Sequence, residues 1–109
     1  MTDTFKTLAQ TYPAARTLTT SYTVPGATST VISSLTACNQ GSSTAKIRVS
    51  VAVAAAADEA KQYVWYNVEV LPGDTFTAVV GISLATTDVV RVYSDMGTVS
   101  FNLFGVEVT

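Results

Sequence analysis

Apolar side chains recur at every second residue through residues 63–109, in the runs YVWYNVEV, TFTAVV, VVRVYSD and TVSFNLFGVEV, broken by LPGD, TTD and MG. An extended chain sends successive side chains to opposite faces, so this period predicts strands with one buried face; a helix would scatter the same residues around its axis. In the first run Val64, Tyr66, Val68 and Val70 are expected on one face, and Tyr63, Trp65, Asn67 and Glu69 on the other. For the last two strands the pattern predicts a hairpin about Asp95-Met96-Gly97-Thr98, with Val92 opposite Phe101 and Val90 opposite Leu103. Met96 is a poor residue at positive φ, so a four-residue turn with Gly97 in the left-handed position is expected. Within the final run the apolar parity changes, from Val99, Phe101 and Leu103 to Phe104, Val106 and Val108, which predicts a β-bulge at 103–105.

The upstream half follows the same logic. Residues 17–24 alternate Leu18, Thr20, Tyr22 and Val24 against hydroxyl residues and stop at Pro25-Gly26, a turn pair. Residues 29–39 form a second, β-branched strand, closed by the hairpin-like loop Asn39-Gln40-Gly41-Ser42-Ser43. Residues 44–53 place Ile47, Val49, Val51 and Val53 inward, with Lys46, Arg48 and Ser50 outward. The segment AAAADEAKQ, 54–62, is the one stretch with helical propensity, and it is too short to hold more than a turn. Residues 1–16 lack a strong period and are interrupted at Pro13. They read as a tail or, preferably, as an extended arm laid on a neighbour through Phe5, Leu8 and Tyr12. The expectation is an arm over 1–16 and a single all-β domain over 17–109. That domain is read as an antiparallel, jelly-roll-like β-sandwich of seven to eight strands.

Several functions are disfavoured by what the chain lacks. With no histidine there is no usual general base, metal ligand or histidine-activated nucleophile, so neither enzyme, cofactor nor metal is expected. Asp74, Asp88 and Asp95 each stand at a turn signal, where capping explains a carboxylate better than catalysis does. A net charge of −2 with six scattered basic residues argues against nucleic acid. The N-terminus does not read as a signal peptide, and the apolar run 51–57 is too short to span a bilayer, so no membrane partner is expected. Cys38, the single cysteine, rules out an intrachain disulfide and reads as a buried small hydrophobe.

Only 13% of the residues are charged, about half the usual share for a soluble domain. A β-protein so poor in charge defends its strand edges weakly, so much of its surface is expected to be covered by neighbours. Tyr63 and Trp65 are expected on one face: if it looks inward the pair is core, and if it looks outward they are candidates for a subunit contact or for stacking on a sugar, with core or subunit contact preferred over sugar.

The runs TLAQTYPAARTLTTSYTVPGATSTVISSLTACNQGSS and LPGDTFTAVVGISLATTDVVRVYSDMGTVSFNLFGVEV resemble small virion structural proteins of tailed bacteriophages, including cyanophages. The likeness rests on the strand end Tyr22-Thr23-Val24-Pro25, on Cys38-Asn39 before a Gly/Ser turn, and on Gly81-Ile82-Ser83-Leu84 followed by Asp88-Val89-Val90-Arg91-Val92. The resemblance implies a capsid cement or decoration protein on the virion surface. Its partner would be the major capsid protein, and it would act as a homo-oligomer, a trimer bridging capsid subunits. The alternative is a tail or head-fibre module that binds host-surface carbohydrate through Trp65 and Tyr63.

Overall fold

The computed structural model describes residues 2–109; Met1, the first residue of the expected arm, lies outside them. Eight strands account for most of the chain: β1 (Asp3–Thr11), β2 (Thr19–Thr23), β3 (Ser29–Asn39), β4 (Ala45–Ala52), β5 (Tyr63–Val70), β6 (Thr75–Leu84), β7 (Val89–Ser94) and β8 (Val99–Val108). They form two four-stranded antiparallel sheets, one in the order β1-β8-β3-β6 and the other β2-β7-β4-β5. The pairs β1·β8, β2·β7, β3·β6 and β4·β5 are those of one long hairpin with arms β1–β4 and β5–β8. Rolling that hairpin up adds β8·β3 and β7·β4, which is the jelly-roll wrapping of an all-β sandwich.

This wrapping overturns both expected hairpins. Apart from β4 to β5, every consecutive pair of strands lies in different sheets. Residues 95–98 therefore carry the chain from β7 across the sandwich to β8, and residues 40–44 do the same from β3 to β4. Val90, Val92, Phe101 and Leu103 are all buried as predicted, but they meet from opposite layers. Alternation fixes which face of a strand is buried; it is equally satisfied by a partner beside the strand or above it. Gly97 is not left-handed either; among the described residues Gly73, at φ 73°, is the glycine at positive φ.

The parity change in the last run has a different origin from a bulge in its own strand. Residues Val99, Phe101, Leu103 and Gly105 of β8 all face the interior. The extra residues sit in the neighbours, where the pairing shifts between Thr7 and Ala9 of β1 and between Ile32 and Ser34 of β3. Gly105 disguises the regular pattern because its inward position has no room for a side chain. A Cβ there would lie 2.1 Å from the Val31 carbonyl oxygen and 3.1 Å from the Ile32 Cα.

The N-terminal segment also departs from expectation. Asp3–Thr11 is not a free arm; it is the edge strand β1, paired with β8 from Asp3↔Val108 to Thr11↔Phe101. Leu8 reaches the core from the bulge in this strand. The strand was hard to see because its outer side bears Phe5 while its inner side bears Thr4 and Lys6, reversing the usual apolar-in pattern at one end.

In β5 two irregularities break the expected sharing of faces. The pairing to β4 shifts across Val64 and again across Asn67, which adopts a left-handed φ of 55°. Trp65, Val68 and Val70 consequently turn toward the core, while Val64 and Tyr66 are exposed. Elsewhere Val53 is exposed rather than inward, and Cys38 is only half-buried. Residues 53–62 make two single turns, Val53–Ala55, in which Ala54 and Ala55 take left-handed φ values of 54° and 57°, and the 3-10 turn Ala60–Gln62.

The core is built from Ile32, Leu35, Ile47, Val49, Val92, Phe101 and Leu103, all at or near zero exposure. One end of the sandwich is closed by Asn39, wholly buried. Its amide nitrogen donates to the Ser43 and Val70 carbonyls at 2.8 and 3.0 Å. Its amide oxygen accepts from the Gly41 N–H and the Thr98 hydroxyl at 3.0 and 2.9 Å. Every polar atom of that side chain is satisfied, which makes a buried amide tolerable there.

Candidate functional site

The two outer faces of the sandwich differ in chemistry. On the β1-β8-β3-β6 sheet the register aligns Phe5, Val106, Val31 and Ser83 in one row, and Thr7, Phe104, Ser34 and Val79 in the next. Phe5 is 80% exposed and Val79 85%, Val31 is exposed, and Phe104 and Val106 are half-buried. The residues around them on this face, among them Thr36, Thr77, Gln10 and Asn102, are uncharged, and Asp3 stands alone at one corner. A nearly charge-free face on which Phe5 and Val79 stand almost fully exposed is suited to lying against another protein surface.

The opposite sheet carries charges and aromatics. Arg48 of β4 is flanked in register by Tyr93 and Tyr66, and its guanidinium carbon lies 4.5 Å from the Tyr93 ring centroid and 4.3 Å from that of Tyr66. Its Nε donates to the Asn67 side-chain oxygen at 2.8 Å, so the left-handed residue that breaks the strand also orients the arginine. The Tyr63 and Tyr66 rings stand 5.2 Å apart at 89°. With Asp58, Glu59 and Ala60 these residues line a cleft of about 530 Å³. Burial, and then the neighbouring Asp58 carboxylate, push the Tyr63 phenol above its ordinary pKa.

A third polar cluster joins the two sheets at one end. The Tyr22 hydroxyl, from β2, donates to Glu107 Oε2 at 2.6 Å and lies 2.8 Å from Thr30 Oγ1, while Lys6 Nζ donates to Glu107 Oε1 at 3.1 Å. Desolvation, followed by the Glu107 hydrogen bond, pushes Tyr22 up to about 12. The same hydroxyl is the main cause holding Glu107 below its usual carboxylate range. Glu107 therefore links Tyr22 of one sheet to Lys6 of the other, through a hydrogen bond on one carboxylate oxygen and an ion pair on the other.

The expected contact residues are thus dispersed. Phe5 lies on the uncharged face, Leu8 is in the core, and Tyr12 is exposed beyond the end of β1 beside Ser100 and Asn102. Tyr63 lines the cleft, but Trp65 turns inward and meets Phe76 edge-on at 5.7 Å, so the two do not form a shared platform. Val79, Tyr66 and the orientation of Arg48 escaped sequence reasoning; a bulge of one residue is enough to exchange Trp65 for Tyr66 at the surface. The three turn aspartates hold backbone: Asp74 accepts from the Thr75 N–H at 2.8 Å, Asp88 from Ala54 and Ala85 at 3.0 Å each, and Asp95 from Lys46 at 2.7 Å. No protein-family model matches the chain, and no curated protein matches it.

Proposed function

We propose that the protein is a virion structural protein of the capsid cement type, working by contact through the outer face of the β1-β8-β3-β6 sheet. The observation that carries this reading is the charge-poor face on which Phe5 and Val79 stand almost fully exposed. Burying each against a capsid subunit contributes about 1.5–3 kcal/mol before ordering costs. Such increments are modest singly, and they add across copies arranged on a shell. The jelly-roll architecture and the resemblance to tailed-phage virion proteins support the reading by analogy. As a cement, the protein would bind the major capsid protein as a homo-oligomer and resist internal pressure by bridging subunits.

The test is reconstitution on particles that lack the protein. The double variant Phe5→Ser, Val79→Ser is expected to fold normally, since neither side chain packs in the core, and to lose at least tenfold in shell occupancy, in line with the burial estimate. Occupancy equal to that of the wild type would refute the assignment of this face.

A further inference from the structure

We propose that the cleft between β5 and the 53–62 segment, lined by Arg48, Asp58, Tyr63 and Tyr66, is a binding site for a neutral glycan. The inference is independent of what the opposite sheet binds. The cleft lies on the other outer face of the sandwich, so both surfaces can be engaged at once.

Shape and charge select the ligand class. The Tyr63 and Tyr66 rings meet at 89°, giving a floor and a wall of aromatic surface, and Tyr66 is 58% exposed. Pyranose rings present flat C–H faces that pack on such surfaces, with hydroxyls around the rim for polar side chains. The charges in the cleft nearly cancel: Glu59 is paired with Lys61 at 3.4 Å, leaving one guanidinium and one carboxylate, Arg48 and Asp58. An anionic ligand would meet Asp58, and a cationic one would meet Arg48, each an unfavourable like-charge contact. A polyhydroxy ligand can use both, donating to the carboxylate and accepting from the guanidinium.

The site is also held in place before any ligand arrives. Nε of Arg48 is committed to Asn67, which fixes the guanidinium between Tyr66 and Tyr93. The loop carrying Asp58 is tied down where Arg91 donates to the Ala56 carbonyl at 2.9 Å and Gln62 donates to the Ala57 carbonyl at 2.7 Å. Asn67, the residue that holds Arg48, is itself at positive φ, 55°. Strained backbone of this kind persists where the surroundings enforce it, and it concentrates at ligand clamps.

The experiment is a screen of the purified protein against immobilised neutral trisaccharides built from glucose, galactose, mannose, rhamnose or N-acetylglucosamine, with amide NMR shifts to locate any hit. Expected is binding by at least one of them, with shifts confined to β5, Arg48 and the 53–62 loop. Tyr66→Ala and Asp58→Asn should each weaken that binding on the order of tenfold, while Tyr66→Phe, which keeps the ring, should stay within about twofold. Shell occupancy should be unaffected by all three variants, which separates failure of this proposal from failure of the cement reading. Absence of binding to every trisaccharide at millimolar concentration, shifts mapping elsewhere, or tighter binding of phosphocholine than of any neutral sugar would overturn it.

Discussion

Replacing Tyr22 by Phe removes one hydroxyl and leaves the ring that packs in the core, so its cost can be worked from the two hydrogen bonds lost. The bond to Glu107 at 2.6 Å is made to a carboxylate and contributes about 1.5–3 kcal/mol; the one to Thr30 at 2.8 Å is neutral and contributes about 0.5–1.5. Thr30 is 1% exposed, so water cannot readily replace the lost partner. The expected destabilisation at pH 7 is about 2–4 kcal/mol, read as a shift in urea midpoint at constant slope, and it corresponds to a drop of roughly 10–20 °C in Tm for a domain of this size.

Its pH dependence makes the prediction specific. Glu107 is held below its ordinary carboxylate pKa, chiefly by the Tyr22 hydroxyl. A depressed carboxyl contributes stability that is present above the unfolded value and lost as pH falls through the folded one. The wild type therefore loses this advantage on acidification and the variant, lacking the hydroxyl, has little of it to lose. The gap between them should narrow below about pH 4 to the ~1 kcal/mol of the Thr30 bond. A difference under about 0.5 kcal/mol at pH 7, or a gap unchanged down to pH 2.5, would show that the hydroxyl does not couple the two sheets as described.

Further outcomes follow from the same geometry. Because Tyr22 is raised from 10.0 to about 12, its contribution is complete below pH 10 and lost as pH rises through 12; alkaline unfolding should cost the wild type about 2–3 kcal/mol that Tyr22→Phe is spared, measured by denaturation at pH 9 and 12. Gly105→Ala forces a Cβ into the Val31 carbonyl and should cost more than about 3 kcal/mol or prevent folding, visible in soluble yield and circular dichroism. Asn39→Ala strands four hydrogen-bond partners at the closed end of the sandwich and should lower stability by about 3 kcal/mol, with the fastest amide exchange appearing in residues 39–43.

The cleft and the uncharged face were legible in the sequence to different degrees. Phe5 stood out as something to bury, yet the strand that presents it did not, because an edge strand with an outward phenylalanine and an inward lysine lacks the usual pattern. The sequence paired Tyr63 with Trp65 on one face and left open whether that face looks in or out; its true neighbour in the cleft is Tyr66, a swap made by bulges that one sequence does not announce.

By itself the chain determined that it would be all-β, where most strands lie, and that Ile47, Val49, Val90, Val92, Phe101 and Leu103 would be inside. Alternation carries that information because the side-chain period of a strand is local. Which strands became neighbours was settled only by the tertiary wrapping, since the burial of a face is satisfied alike by a strand alongside and a sheet above. Rolling the long hairpin placed β7 and β8 in opposite layers, gave β1 its place on β8, and left Phe5 and Val79 on one outer face with Arg48 and its tyrosines on the other.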